Sequence, residues 1–322
     1  MRQDTGDPQV SKATQAPTLS QAIEGRLLAA SAKGLSDNTI REYSLYFRKL
    51  LAFFAPEDPR FDQIDVEHLQ DFLITQEHLS NKTRSNMRIA FSSMWAWAVH
   101  AKLLTVNVAA ELDTIKAESR VPHPFTRDDV KSMLGACEKS KSYTRPGYKE
   151  TIHTPPQVLR NKAIIFTLTD TGLRSSELCD LLIKHLDKKN LRMKVFGKGN
   201  KERLVPFSAT TSLALWRYLA TRPDARPEDH AFVTGRDRPM DKFELRDLIG
   251  GIGERAGVEH AHPHRFRHTF AINFLRNGGN VYALKEILGH ASLRMCLRYL
   301  EIAQADVENA YRPASPVKNW GL

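Results

Sequence analysis

The sequence contains one segment typical of a β-hairpin, whereas apolar residues elsewhere in the chain recur mostly at helical spacing. Residues 191–196 and 203–207 are short strand-like runs, and the GKGNKE segment between them carries glycines that suit a tight turn. Residues 231–234 are predicted as one further short strand. Elsewhere apolar residues lie three and four positions apart, as in Ile40, Tyr43 and Phe47. The sequence therefore predicts an α+β fold, mainly α with a small β-sheet.

Two domains are expected from the length of 322 residues. The first part predicts four or five helices without strands, with helix starts near Thr18 and Ser36. A polar stretch punctuated by prolines then predicts a linker, and a basic segment at 139–156 predicts an exposed loop. The predicted parts are a flexible leader at 1–17, a helical domain at 18–114, a linker at 115–124, a second domain at 125–312 and a tail at 313–322.

The positive charge of the chain is concentrated in its second part. Residues 1–116 hold 13 Lys and Arg against 14 Asp and Glu, a net charge of −1. Residues 117–322 hold 34 against 23, a net charge of +11. A strongly basic domain is typical of proteins that bind nucleic acid.

Cysteine usage and hydropathy exclude several classes of protein. The three cysteines are scattered and form no CxxC pair, which argues against a disulfide framework and a thiolate zinc site. The first twenty residues are polar, and no run of about 18 apolar residues occurs. We therefore expect a cytoplasmic protein that does not associate with membranes.

Polar residues stand at helix and turn junctions inside otherwise apolar patterns of the second domain. TGLRSSEL and HPHRFRHT each place polar residues at the start of a helix, and LGH is followed by a tyrosine nine residues later. The candidate residues are Arg174, Glu177, Lys198 at the hairpin tip, His264, Arg267, His290 and Tyr299.

In order and spacing these motifs resemble those of the tyrosine recombinases, the family of phage-type integrases and Xer-like resolvases. TGLRSSEL is similar to the first arginine motif of the family, GKGNKERLVP to its hairpin lysine motif, and HPHRFRHT to its HxxR box. LGH and Tyr299 correspond to the last two motifs. The resemblance covers residues 19–312, closely over the second domain and only in general character over the first.

The residue types also suit the chemistry of phosphodiester cleavage. Guanidinium groups bind phosphate oxygens with two hydrogen bonds, so Arg174 and Arg267 suit a transition-state clamp, to which His290 adds a hydrogen bond. Tyr299 is the candidate nucleophile. Lys198 suits the general acid for the leaving 5′ oxygen, and His264 the group that accepts or relays the tyrosine proton. By analogy with the family, Glu177 orients an arginine or the histidine.

The resemblance implies a two-domain clamp around duplex DNA in a prokaryotic, nucleoid-associated protein of a mobile element. It further implies a covalent 3′-phosphotyrosine, a Holliday junction intermediate, and a tetramer of two dimers on inverted-repeat core sites. No cofactor is expected, because the phosphotyrosine conserves the bond energy. The tail is expected to link neighbouring subunits, and the leader is too short for an additional arm-site domain.

DNA contacts are predicted on the fourth helix of the first domain and on the hairpin. One face of that helix carries basic and hydroxyl groups, and no acidic residue occurs from Leu79 to Ala110. A helix of this kind can place arginines on phosphates. The predicted DNA-contact residues are Lys82, Arg84, Ser85, Arg88, Lys201 and Arg203.

Three alternatives compete with this interpretation. Five histidines, three of them in the HxHxH run, could suggest a metal site, but no HExxH occurs and the run crosses a proline, so no metal is predicted. A topoisomerase of the tyrosine IB type would use the same chemistry as a monomer. A DNA-binding protein without activity would retain the fold, although every expected polar position is filled.

Overall fold

The computed structural model describes residues 16–116, 123–138, 157–197, 201–303 and 315–321. The chain divides into two compact units, Met1–Arg120 and Val121–Leu322. Residues 1–15 of the predicted leader, residues 117–122 of the predicted linker and the basic segment 139–156 lie outside the described residues, as do Lys198 and residues 304–314.

The first unit is a helical bundle. Residues 16–116 contain four α-helices and no strand, as the sequence predicts: α1 (Leu19–Ala32), α2 (Asp37–Phe54), α3 (Val66–Thr75) and α4 (Asn81–His100). Short 3-10 turns follow at Phe61–Gln63 and Val108–Ala110. The helices begin at side-chain caps, since Thr18, Ser36, Asp65 and Ser80 each accept a hydrogen bond from a backbone amide of the first turn.

The core of this unit forms around one face of α4. Met87, Phe91 and Trp95 are fully buried there and belong to the same core as Phe47 of α2 and Phe72 of α3. Because these residues recur at helical spacing, burying them fixes the rotation of α4 about its axis. The polar face of α4 is thereby turned away from the core.

The second unit is also mainly helical and carries the sheet. Its helices are α5 (Arg127–Ala136), α6 (Val158–Thr171), α7 (Ser175–Cys179), α8 (Ala209–Leu219), α9 (Lys242–Ala256), α10 (Pro263–Arg276), α11 (Val281–Leu288), α12 (Arg294–Ala303) and α13 (Pro316–Asn319). None of the helices in the described part of the chain is long and apolar enough to cross a membrane.

Between α7 and α8 in the sequence, the chain forms a three-stranded antiparallel sheet. Strands β2 (Arg192–Phe196) and β3 (Glu202–Pro206) form the predicted hairpin, with Val195 opposite Arg203. A two-residue strand, β1 (Leu186–Asp187), pairs with β2 and was not predicted. Val195 and Val205 bury their side chains in the main core of the unit, which fixes the hairpin against the helices.

Two sequence predictions in this unit were wrong in detail. Residues 231–234 do not form a strand: Val233 makes only an isolated bridge to Pro239, and no neighbouring strand extends this pairing. The helix predicted over 175–182 ends at Cys179. Leu182 bridges to His230 instead of continuing the helix.

A smaller core attaches α12 to the rest of the unit. Ala271, Ile272 and Leu275 of α10 pack with Leu284 and Leu288 of α11. The same cluster contains Cys296, Tyr299 and Ala303, one face of α12 at helical spacing. Packing of this face positions Tyr299 beside α10.

Candidate active site

The polar candidates of the second unit meet where several helix ends converge. Arg174 and Glu177 stand at the first turn of α7, Arg267 and His268 lie on α10, and His290 directly follows α11. Gly172 ends α6 in the left-handed conformation, with φ of 60°, and turns the chain toward Arg174.

The Glu177 carboxylate joins two arginines beneath the site. Oε1 accepts from Nη1 of Arg174 at 2.7 Å and from Nη1 of Arg203 at 2.9 Å. Oε2 accepts from Nη2 of Arg203 and from the backbone amide of Arg174, both at 2.9 Å. Burial opposes ionisation of this carboxyl, but the hydrogen bonds and charge from the two arginines outweigh it and lower the pKa of Glu177 to about 2.

Three guanidinium groups also bind the carbonyl end of α11. Arg203 donates from Nε to the Ile287 carbonyl at 2.7 Å, and Arg267 from Nη2 to the Leu288 carbonyl at 2.8 Å. Arg174 donates to the Leu288 and Gly289 carbonyls at 3.2 and 3.3 Å. These carbonyls carry the negative end of the helix dipole, so the arginines gain a favourable field as well as hydrogen bonds.

Arg267 is the most deeply buried arginine of the group, at 2% exposure. Its Nη1 donates to the Gly172 carbonyl at 2.9 Å. Burial, followed by repulsion from Arg174, lowers the pKa of Arg267 to about 10, so it stays charged at neutral pH. Among Arg174, Arg203, Arg267 and Glu177, three positive groups face one negative group, which makes the cluster suited to binding an anion.

Tyr299 lies next to this cluster with its hydroxyl on a histidine. The side chain is buried, and its Oη lies 2.9 Å from Nδ1 of His268. Burial raises the pKa of Tyr299 above its ordinary value, although Arg267 and Arg174 act in the opposite direction. Tyr299 therefore remains a neutral phenol at neutral pH.

His264 contacts the ring of His268, and His290 lies near the ring of the tyrosine. The His264 ring is exposed and lies edge-on to His268, with ring centroids 4.4 Å apart. The buried His290 ring lies 6.2 Å from the Tyr299 ring and places Nδ1 3.0 Å from Sγ of Cys296. Burial, reinforced by Arg267 and Arg174, lowers the pKa of His290 to about 4, so this ring is neutral at neutral pH.

The structure thus brings together Arg174, Glu177, Arg267, His290 and Tyr299. His264 contacts His268, the histidine whose ring is bonded to the tyrosine hydroxyl. Lys198, the predicted general acid, lies outside the described residues. Gly197 and Lys201, on either side of the undescribed tip, are joined by a backbone hydrogen bond of 2.8 Å. This bond continues the pairing of β2 with β3 toward the tip that carries Lys198.

The predicted DNA-contact residues occupy different environments. Lys82 and Lys201 are exposed, whereas Arg84 and Ser85 are half-buried. Arg88 donates from Nε to the Leu112 carbonyl at 2.8 Å, so part of its guanidinium supports the end of the first unit. Arg203 differs from the prediction most, because its guanidinium is committed to Glu177 and Ile287 rather than directed to solvent.

Three residues that line the site are not among the catalytic residues predicted from the sequence. His268 is not among the residues predicted for the site, yet it contacts Tyr299. Arg203 was expected on DNA, and Cys296 was given no role. For His268 and Cys296 a signal existed in helical spacing, since His268 is four residues from His264 and Cys296 three from Tyr299.

No group of three histidine, cysteine or acidic side chains within the described residues is arranged to hold a metal ion. His260 has a left-handed backbone, with φ of 52°, and His262 caps α10 by accepting a hydrogen bond from the Arg265 amide. The HxHxH run is therefore spread around the start of α10 rather than along one face of the helix.

Comparisons with known proteins match both units. Residues 124–306 match the phage integrase family, and residues 29–102 match the phage integrase N-terminal SAM-like domain. A tyrosine recombinase XerC of Lactobacillus delbrueckii subsp. bulgaricus is 30% identical over 267 residues, covering 81% of this chain and 86% of that protein. The tyrosine recombinase XerC of Corynebacterium efficiens is 29% identical over 286 residues, covering 88% and 87%.

Solved structures share the fold. The XerH site-specific recombinase bound to a palindromic difH substrate aligns with a TM-score of 0.70 and 21% identity, over 93% of this chain and 85% of that one. The Tn1549 transposon integrase in complex with transposon right end DNA aligns with a TM-score of 0.70 and 21% identity, over 91% and 99%.

Proposed function

This chain belongs to the phage integrase family and is a site-specific tyrosine recombinase, and from that membership we propose that Tyr299 is the nucleophile that cuts the DNA strand. Its Oη attacks the phosphorus in line with the 5′ oxygen and leaves the 3′ phosphate on the tyrosine. The phosphotyrosine bond stores the energy for rejoining, so the reaction needs neither ATP nor a cofactor.

Arg174 and Arg267 are proposed to bind the nonbridging oxygens of the attacked phosphate. Supporting this role, both guanidiniums are held by the carbonyl end of α11, and Arg174 is also held by Glu177. A positively charged group held in place before the reaction stabilises the transition state without reorganisation. Removing one such guanidinium donor costs about 3 to 4 kcal/mol of transition-state stabilisation. In this mechanism Glu177, which accepts from Arg174, is a positioning residue.

The remaining proton transfers are proposed for Lys198, His264 and His290. Lys198 protonates the leaving 5′ oxygen, and His264 accepts or relays the tyrosine proton. His290 donates a hydrogen bond to the phosphate from Nε2, which requires a proton on that nitrogen. The contact of its Nδ1 with Cys296 supports this tautomer, because a thiol can donate to Nδ1 and leave the proton on Nε2.

DNA binding is proposed to involve α4 and the hairpin. Four residues of α4 in the first unit contact DNA phosphates: Lys82, Arg84, Ser85 and Arg88. Lys201, beside the hairpin tip, contacts the DNA backbone from the second unit. For Arg203 we replace the predicted DNA contact by a supporting role, since both of its Nη atoms donate to Glu177.

The active assembly is proposed to be a tetramer of two dimers on inverted-repeat core sites, passing through a Holliday junction. The described tail exposes apolar side chains, with Val317 at 55% and Trp320 at 73% exposure. The second unit also has an apolar groove of about 890 Å³, lined in part by Val130, Phe270 and Phe274. We propose that the tail of a second copy occupies this groove.

One observation carries the proposed chemistry: a tyrosine hydroxyl stands beside a preformed cluster of three arginines. A supercoiled plasmid with two copies of a candidate core site tests the activity. Exchange between the defined sites is the expected result. Relaxation of any plasmid regardless of sequence would indicate a topoisomerase. Binding of the plasmid without nicking would indicate a DNA-binding protein that lacks activity.

A further inference from the structure

The Tyr299 hydroxyl and Nδ1 of His268 are at hydrogen-bond distance, 2.9 Å, with ring centroids 5.5 Å apart. This contact joins two helices rather than two loops, because His268 lies on α10 and Tyr299 on α12. Ala271 and Ile272 of α10 share a buried cluster with Tyr299 and Cys296. Helix packing therefore sets the distance between the two side chains.

Positive and titratable groups surround the His268 ring on both helices. His264 lies edge-on to it, His262 caps the start of the same helix, and Arg267 is its chain neighbour. Arg298 and Tyr299 face it from α12. Burial, reinforced by these cationic and titratable neighbours, lowers the pKa of His268 to about 4. At neutral pH the ring is uncharged and has a lone pair to offer the phenol.

We infer that His268 is a catalytic residue that receives the Tyr299 proton during strand cleavage, an inference that rests on the proposed role of Tyr299 as nucleophile. As Oη forms its bond to phosphorus, the Oη–H bond breaks and the proton moves to Nδ1, leaving His268 as an imidazolium. The P–O5′ bond breaks, and the 5′ oxygen takes its proton from the general acid. On rejoining, the 5′ hydroxyl attacks phosphorus and gives its proton back to the general acid, the P–Oη bond breaks, and His268 returns its proton to Tyr299.

Entry of DNA favours this transfer. The phosphates bring negative charge next to Arg267 and Arg174, which offsets the field that disfavours a charged His268. His264 has a different place in the scheme: among the described contacts, the Tyr299 hydroxyl is bonded by His268, and His264 meets the edge of that ring. His264 can therefore stabilise or pass on a proton that His268 has already received.

Replacement by asparagine separates proton transfer from positioning. The side-chain oxygen of an asparagine at position 268 can occupy the place of Nδ1 and accept the tyrosine hydrogen bond, but it cannot take the proton. His268→Asn and His268→Ala should both form the covalent adduct at least about 100-fold more slowly than wild type at neutral pH. Single-turnover cleavage of a nicked suicide substrate, at saturating protein, measures this rate.

The pH profile supplies a readout that a merely structural role would not change. Without a base the reaction needs ionised Tyr299, so the His268→Asn rate should rise about tenfold per pH unit toward the phenol pKa. The wild-type rate should be nearly flat over the same range. Rescue by asparagine to the wild-type rate, or a variant profile parallel to that of wild type, would overturn the inference.

Two controls keep the outcomes distinct. His260→Asn, at an exposed left-handed position that asparagine tolerates, should react as wild type does. Circular dichroism and gel-shift binding check that each variant folds, and the pH profile of His268→Ala replaces that of His268→Asn if the latter does not fold. Tyr299→Phe is run alongside: an adduct from that variant would refute the proposed function, whereas loss of its adduct with normal His268→Asn cleavage would refute only the inference.

Discussion

At the scale of single residues, Glu177 is the acidic group that holds two arginines of the site in place. Its side chain is 2% exposed and binds Arg174 and Arg203. Removing one partner of a buried ion pair lowers the stability of the folded protein strongly, because the charge that remains buried is no longer compensated. The position of Arg174 therefore depends on the ionised state of Glu177.

The low pKa of Glu177 makes protein stability depend on acid pH. The folded pKa of about 2 lies below the ordinary value of 4.5, so the carboxylate stabilises the fold fully above about pH 4.5. This contribution is lost as the pH falls toward 2. It is on the order of 3 kcal/mol of unfolding free energy, at 1.36 kcal/mol per pKa unit.

Glu177→Gln should remove this pH-dependent contribution. Urea unfolding from neutral pH down to the acid limit of the fold measures it: wild type should exceed the variant by about 3 kcal/mol at neutral pH, with a gap that narrows below about pH 4.5. Asp180→Asn, at an exposed position three residues away, is the control and should show no such narrowing. A gap that stays constant with pH would contradict the assignment.

Lys198 can be tested as general acid by chemistry at the leaving group. A 5′-bridging phosphorothiolate departs without a proton, so Lys198→Ala should regain most of its lost cleavage rate on that substrate. Arg174→Ala should not, because the phosphate clamp is still missing. Equal rescue of both variants, or of neither, would contradict this division of roles.

Sequence reasoning identified these residue types but not all of their partners. The motifs name Arg174, Glu177, Arg267, His290 and Tyr299 directly. The contact of Arg203 with Glu177 depends on how the hairpin meets α7, and that of His268 with Tyr299 on how α10 meets α12. Such contacts arise from tertiary packing between segments far apart in the chain, which the local pattern does not contain.

At the scale of elements, the turn between α6 and α7 connects the core to the arginine cluster. Gly172 has φ of 60°, and a Cβ there would lie 2.6 Å from Cδ1 of Phe270 and 3.0 Å from Cδ2 of Leu288. The Gly172 carbonyl also accepts from Arg267. A side chain at this position would strain the backbone and move the carbonyl that binds Arg267.

Gly172→Ala should destabilise the protein by about 2 to 4 kcal/mol, from left-handed strain and crowding together. Gly257→Ala is the matched control, because its φ is 67° but no described atom lies within 4 Å of the added Cβ. That variant should lose only about 1 kcal/mol. Equal losses of melting temperature for the two variants would show that crowding at Gly172 contributes nothing.

Most elements could be predicted, since helix caps and apolar spacing are local signals. The start of α4 after Ser80 and the β2–β3 hairpin are examples. Strand β1 has two residues, too few for a period to appear, and it exists only because β2 offers a free edge. At 231–234 the apolar run suggested a strand, but its residues fill the core without a neighbouring strand to pair with.

At the scale of the whole molecule, the proposed docking of the tail in a second copy predicts cooperation between copies on DNA. Trp320 is exposed in its own chain, so burial of its ring in the groove of a second copy would remove apolar area from water. Trp320→Ala should leave binding to a single core site unchanged and reduce cooperative loading of two copies several-fold. Deletion after Ala303, which keeps the buried face of α12, should have the same effect in larger measure.

Gel-shift titration of one-site and two-site DNA separates these outcomes. Lys318→Ala, an exposed polar neighbour on the same short helix, is the control and should retain cooperativity. Unchanged cooperativity in both Trp320→Ala and the truncation would refute docking of the tail in a second copy. Weaker binding to a single site would indicate instead that the tail supports its own unit.

The central claim is that Tyr299 forms the covalent bond to DNA. Wild-type protein and Tyr299→Phe are incubated with a nicked suicide substrate carrying the core site and separated on a denaturing gel. Wild type should give a protein–DNA adduct, and Tyr299→Phe should give none while binding the same DNA with nearly unchanged affinity, because only one hydroxyl is removed. An adduct of equal yield from Tyr299→Phe would contradict the account.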